Sequence, residues 1–345
     1  MKSQTIYLLL QKEMSLTGTK DVDIKILSEL PVRDLLIFCN ASRDRHTHRL
    51  CNDENMWKTR FITDYGDYEA SFKDQDRSWK QYYLLVLRYA EDYENFRAVI
   101  KAIEKGYLDV ANVFSLRIVP DGDWHQWNKI FPAALRAAAK NHDMKAIELL
   151  EELGLNFDIR AGEGRNYDAG LEGASEGYHH DLIEFFLEKG ADPASGLKGA
   201  VRGGHRDLYK YFRGMGDNFV FPPTTSSLVI AAAQGGHKDM IDLLISPRDE
   251  ENFIEDILQG VGLGGQEELA EYYIKLYPRW YTLLWYAAMG GHKKLVKKAL
   301  AGADARGYQN KERLGTIIGF VRTTGYKDID RYLTEIYNQM EDDGF

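Results

Sequence analysis

Ala200-Val201-Arg202-Gly203-Gly204-His205 returns as Ala232-Ala233-Gln234-Gly235-Gly236-His237 and again as Ala287-Ala288-Met289-Gly290-Gly291-His292. Alanine, paired glycines and histidine keep fixed offsets in all three, which marks an internal repeat. With the histidine as position zero, weaker copies fall at Tyr107, Asp143, His179, Gln266 and Tyr326, giving eight units spaced by 26 to 36 residues. Positions outside the hexapeptide are restricted too. Eight residues before zero stand Val99, Leu135, Leu171, Leu197, Val229, Leu258, Leu284 and Ile318; three after it stand Val110, Ala146, Leu182, Leu208, Met240, Leu269, Leu295 and Ile329. Seven after zero come Phe114, Leu150, Phe186, Phe212, Leu244, Tyr273, Ala299 and Leu333. An apolar stripe at helical spacing on both sides of a glycine predicts a helix, a tight turn and a second helix in every unit.

Glycine closes the first helix in the left-handed conformation without a Cβ clash, and Gly106, Gly265 and Gly325 keep that role where the histidine is lost. Alanine lets neighbouring first helices approach closely. A lone helix pair cannot bury both of its stripes, so the units must stack, each against its neighbours, into one cooperative body over residues 95–337. The expected class is all-α, with an α-solenoid of about eight helix-turn-helix repeats. These residues resemble the ankyrin repeat, whose alanine, Gly-His turn and Gly-Ala-Asp ending are matched by Leu187-Glu188-Lys189-Gly190-Ala191-Asp192 and by Ala301-Gly302-Ala303-Asp304. The Thr-Pro-Leu-His opening of that family is absent, and the two 26-residue spacings leave no room for a β-turn finger, so some units are expected to be bare helix pairs.

Residues 21–64 read differently. Val22, Ile24, Ile26, Leu27 and Leu30 precede Pro31; Leu35, Leu36 and Phe38 follow; a polar Arg/His stretch leads to Leu50, then Met56, Trp57 and Phe61. Pro31 opens a second helix and Asp53 caps the one carrying Trp57, which implies three or four short helices. A module of this size buries little on its own and should lean on the following segment, 65–94, or on a partner. The order Ile-Leu-x-x-Leu-Pro-x-x-Asp-Leu-Leu, followed by Asn55-Met56-Trp57-Lys58, resembles an F-box, although Thr17-Gly18-Thr19-Lys20 stand where that family opens on Leu-Pro. The resemblance implies binding to the Skp-type linker of a cullin-RING ubiquitin ligase through Ile26, Leu27, Leu30, Pro31, Leu35 and Leu36. It also places the chain beside the F-box and ankyrin-repeat proteins expanded in large DNA viruses of amoebae.

Composition narrows the alternatives. With 44 Lys+Arg against 53 Asp+Glu the net charge is -9, which disfavours nucleic acid and anionic lipid as partners. Cys39 and Cys51 are too few for a disulfide framework and lack the companions of a zinc site, which points to a reducing, cytoplasmic setting, with entry to the nucleus by diffusion. The run Ile6–Leu10 is too short for a signal peptide, and no apolar segment approaches the roughly 20 residues of a membrane span. His205, His237 and His292 recur at one repeat position and read as turn residues. His46, His48, His179 and His180 form polar clusters without a metal-ligand pattern. Gly262-Leu263-Gly264-Gly265 belongs to the repeat and no Lys-Ser/Thr follows it, so no phosphate loop is expected. Trp124, Trp127, Tyr167, Phe219, Phe221, Trp280 and Tyr281 sit between units, either sealing gaps or exposed on a binding face. Residues 1–20 read as an extension and 338–345 as a solvated acidic tail. No nucleophile, base and oxyanion set is present, and no cofactor or metal is expected. The function this implies is an adaptor: the F-box-like helices recruit the linker and the repeats hold a target. A repeat protein that sequesters its target without ubiquitination is the alternative.

Overall fold

The computed structural model of the chain describes residues 17, 19–41, 45–92, 95–118, 124–156, 165–304 and 311–342. The tail residues 343–345, most of the N-terminal extension and the side chains of Trp124 and Trp127 lie outside that set. Among the described residues there are 22 α-helices, two short 3-10 turns and no strand, so the protein is all-α. It divides into two compact units. One comprises residues 1–91 with 107–120; the other comprises 92–106 with 121–345.

The first unit begins with α1 (Lys20–Glu29), α2 (Val32–Ala41), α3 (Arg45–Leu50), α4 (Glu54–Tyr65) and the single turn α5 (Asp67–Ala70). Pro31 immediately precedes α2 and its carbonyl accepts the amides of Asp34 and Leu35, as a helix-opening proline should. Asp53 caps α4 through hydrogen bonds from the Asn55 and Met56 amides at 2.9 and 3.3 Å. The following helix, α6 (Trp79–Asp92), completes the core: Tyr82 stacks on Phe61 with ring centres 4.9 Å apart, and Tyr83 meets Trp57 at 5.5 Å. Burial raises both phenols above their ordinary range, so they stay neutral donors. Helix α8 (Leu108–Ile118) closes the unit. Tyr82 donates to the Asp109 carbonyl at 3.2 Å, Arg77 pairs with the Asp109 carboxylate, and Arg117 donates to the Asp64 carbonyl at 3.1 Å while lying over the Tyr65 ring. The boundary expected near residue 95 is therefore not a single point: the second helix of the first repeat belongs with the N-terminal helices.

The second unit holds α7 (Asn95–Glu104) and then seven helix pairs. They are α9 (Trp124–Lys140) with α10 (Met144–Asn156), α11 (Arg165–Gly177) with α12 (His180–Glu188), and α13 (Pro193–Gly203) with α14 (Arg206–Gly214). After them come α15 (Thr225–Gly235) with α16 (Lys238–Leu244), α17 (Ile254–Gly264) with α18 (Glu267–Leu276), α19 (Trp280–Gly290) with α20 (Lys293–Asp304), and α21 (Lys311–Thr324) with α22 (Lys327–Asp342). Every position zero of the repeat register falls on the residue just before a second helix. The first helices α7, α9, α11, α13, α15, α17, α19 and α21 pack on one another in chain order and form a continuous inner layer.

All sixteen side chains at the positions eight before and three after zero are buried, as the register requires. At seven after zero, only Leu244 departs, being half-buried. Its helix, α16, is seven residues long and ends there, with Ile245 taking the core place instead. Among the inter-unit aromatics whose burial is described, Phe221 is exposed while Tyr167, Phe219, Trp280 and Tyr281 are half-buried.

Two expectations need correction. Cys39 and Cys51 are joined in a disulfide, their Cα atoms 5.5 Å apart, so cysteine usage no longer argues for a reducing compartment. Leu27 and Leu35, placed on the linker-facing surface by the F-box resemblance, are 0% exposed and lie in the core of the first unit. Two apolar stripes run along these short helices, and the one carrying Leu27 and Leu35 faces inward.

Candidate functional site

Two surfaces stand out, one in each unit. On the first, Val22, Ile26 and Leu30 follow one another at four-residue intervals, the spacing of neighbours on a helix face. Val22 is 46% exposed, Ile26, Leu30 and Leu36 are half-buried, and Pro31 is exposed. On α1 these residues form an apolar ridge. It is held from beneath by Arg60, a buried cation that donates to the carbonyls of Ser28 (2.7 Å) and Leu30, and to the Asp64 carboxylate at 2.8 Å. Arg60 so caps the C-terminal end of α1, where carbonyls lack helical partners. Tyr83 donates to the same Asp64 carboxylate at 2.7 Å and fixes the arrangement. At the other end of α1, the Asp23 carboxylate is buried and accepts from the amide and hydroxyl of Thr17 at 2.6 and 3.0 Å, with His46 Nε2 at 2.8 Å.

The second surface is built from the turns of the repeat. Gly204, Gly236, Gly265 and Gly291 have φ between 70° and 84°, the left-handed region, and each first helix ends in a Schellman turn. In it the amide of position zero bonds back to the residue five before it: His205 to Ala200 at 2.9 Å, His237 to Ala232 at 3.0 Å, His292 to Ala287 at 3.0 Å. The side chain at or near position zero then reaches into the preceding unit. His179 Nε2 meets the Lys140 carbonyl at 2.9 Å, His205 Nε2 the Glu176 carbonyl at 3.0 Å and His292 Nε2 the Leu263 carbonyl at 2.9 Å. Gln266 Nε2 donates to the Gln234 carbonyl at 2.8 Å, and Asn141 Nδ2 to the carbonyls of Ile103 and Glu104, both at 3.1 Å. At these five junctions the residue at or near zero is therefore a staple that satisfies carbonyls at the end of its predecessor's helix. Sequence alone gave the turn but not this bond, because the partner is a backbone atom some 30 residues away.

A second row of contacts runs beside the staples. Arg206 pairs with Asp239 at 3.3 Å, Lys293 with Asp328 at 3.5 Å and His142 with Asp181 at 2.7 Å, each joining one turn to the start of the next unit's second helix. His142 and Tyr178 occupy the left-handed position without being glycine, at φ 54° and 64°. Their rings serve the next unit, Tyr178 by donating to Asp207.

The turns surround a cleft of about 870 Å³ within the second unit. Six cations line it, Arg97, Lys101, Lys105, Arg136, Lys140 and Arg202, against two carboxylates, Glu104 and Glu176. An excess of four positive charges in a chain of net charge -9 is a marked segregation. Part of it is internally balanced: Lys140 lies 2.6 Å from Glu176, and Glu172 accepts from Arg202 and lies 3.5 Å from Arg136. Burial would raise the Glu172 carboxyl, but Arg202, Lys198 and Arg136 outweigh it and hold the group below the usual carboxylate range. The cleft also joins the two ends of the array. Arg97, on the first inner helix, donates to the Thr324 carbonyl at 2.9 Å and lies over the Tyr326 ring at 5.0 Å.

Among the described residues no group of three or more His, Cys, Asp or Glu is placed to hold a metal ion, and no helix is long and apolar enough to cross a membrane. No protein-family model matches the chain, and no curated protein is significantly similar to it.

Proposed function

We propose that the protein is a non-catalytic adaptor: an F-box-like module that docks on a Skp-type linker, and an ankyrin-like solenoid that holds a target for ubiquitination. The observation that carries this reading is the apolar ridge of Val22, Ile26 and Leu30 on α1, exposed or half-buried, with Pro31 exposed and Leu36 half-buried after it, on helices whose buried face already makes the core. Such a ridge on a small helical module is what a partner helix bundle covers. The repeat array adds a large surface whose residues are spent on stacking and stapling. Its cytoplasmic setting in this reading is reducing, so Cys39 and Cys51 would be free thiols there. Thiol labelling of freshly lysed protein, read as a mass shift, checks that.

The ridge also defines the test. Ile26→Asp and Leu36→Asp place a carboxylate on the surface without opening the core, whereas Leu27→Asp or Leu35→Asp would unfold the module. Purified linker should co-precipitate with wild-type protein and lose about tenfold or more in affinity with either surface variant, at unchanged thermal stability. In cells the target should then accumulate.

A second reading, sequestration without ubiquitination, draws on the start of α1. Thr17 bonds Asp23 where an F-box carries Leu-Pro, which reshapes the end of the linker face. A wild-type protein that captures a target but never the linker would establish it.

A further inference from the structure

We infer that the cleft of the second unit receives an extended acidic segment of the target, with alternate carboxylates lying along the cation rows of α7 and α9. This rests on the reading of the array as a target holder and names the chemistry of what it holds.

Charge and spacing point to this ligand. Arg97 and Lys101 are four residues apart on α7, about 6 Å along its axis, and Lys105 follows four residues later in the turn that ends the helix; all three line the cleft. Arg136 and Lys140 repeat that interval on α9, which packs directly against α7. In an extended peptide, side chains on one face recur every second residue, about 6.6 to 6.8 Å. The two periods match to within the reach of flexible Lys and Arg side chains over three successive acidic residues. Cations arranged in rows suit a line of charges better than a compact polyphosphate, for which they would converge on a point.

The surroundings favour the same ligand. Inner helices end at the cleft and would present the negative ends of their dipoles to an anion. Asn141, His179, His205, Gln266 and His292 each donate to one of those terminal carbonyls, which leaves the side-chain cations to set the potential. The Lys101–Glu104 pair is partly exposed and weak, so an incoming carboxylate can exchange into it, while Lys140, half exposed, can reach a ligand beside its buried partner Glu176. The chain's overall charge of -9 repels a long nucleic acid, while a short acidic segment meets only the cleft.

The test uses the full-length protein and two fluorescein-labelled decapeptides of one composition. One alternates aspartate and serine; the other carries five aspartates followed by five serines. The alternating peptide should bind saturably and more tightly than the block isomer, with affinity falling as salt is raised. Lys101→Gln with Lys105→Gln should weaken it by about tenfold at an unchanged melting temperature. Equal binding of both isomers, no binding, or an unaffected double variant would overturn the inference. Binding of inositol hexakisphosphate with neither peptide would also overturn it, and would make the cleft a small-polyanion site. Target capture in cells separates this inference from the reading beneath it. A target held equally by wild type and double variant keeps the adaptor and ends the acidic-segment proposal. Specific peptide binding by an array that captures no target supports the cleft chemistry and removes the adaptor.

Discussion

Gly235 and Gly236 are neighbours under different constraints. Gly236 has φ 84° and needs the left-handed region. Gly235 is helical, but a Cβ there would meet the Arg202 carbonyl oxygen at 1.8 Å, because the inner helices touch backbone to backbone. On helix propensity alone Gly235→Ala would stabilise by roughly 1 kcal/mol. The clash is with main chain and should win, for a net loss of about 1 to 2 kcal/mol in urea melts. Gly106→Ala gives the contrast: φ is 71° and nothing lies within 4 Å of the added carbon, so the cost is the conformational one of about 1 kcal/mol. A stabilised Gly235→Ala would mean that the inner layer is looser than described. His292 makes a pH prediction. Burial, and then the charge of Lys101, lower its pKa below the ordinary 6.5. The folded state thus binds fewer protons than the unfolded one, so stability is complete above pH 6.5 and falls as pH drops below it. His292→Gln keeps a donor at the staple, as Gln266 does in the unit before. It should lose less in melting temperature than wild type between pH 7.5 and 5.5; an equal loss would exclude His292 as the source. The glycines and the register were legible in sequence because they are local. The Arg202 carbonyl beneath Gly235 was not, since no sequence pattern records which backbone atom a neighbouring unit brings near.

Among the elements, α14 depends on Leu208, three residues past its staple and buried between helix layers. Leu208→Ala should cost about 2 to 5 kcal/mol, measured by denaturant unfolding. In the first unit, Arg60 does what no apolar residue can, because it satisfies the end of α1 and the Asp64 carboxylate together. Arg60→Met strands those acceptors and should cost about 2 to 4 kcal/mol. Arg60→Lys should recover little of it, since one ammonium cannot span the acceptors a planar guanidinium reaches. Recovery to wild-type stability would show that charge alone matters there. The sequence foretold the helices of this unit, the Pro31 opening and the Asp53 cap. It misassigned Leu27 and Leu35, because a ten-residue helix with apolar residues on two sides does not declare which side its neighbours cover. The packing of α1 against α4 decides it for Leu27, and that is a tertiary fact.

At the scale of the second unit, the first inner helix meets the last turn through Arg97 and Thr324, 227 residues apart. Repeat spacing names neighbours but not curvature, which accumulates from a small rotation at every junction, so this closure was invisible in sequence. It has a measurable signature. Arg97→Ala should quicken hydrogen exchange both in α7 and at the α21–α22 turn, whereas an open row would confine the change to α7. The staples carry a consequence of another kind. A stapling unit completes the helix end of the one before it, so the array has a direction, and a break there is harmless only at the same phase in every unit. A tandem duplication of one whole unit supplies its own staple to the parent and offers a helix end to the next copy. An insertion out of phase leaves helix-terminal carbonyls without their side-chain donors. Unit number is then free to drift over generations of the gene, while the phase of each duplication is held fixed by hydrogen bonding.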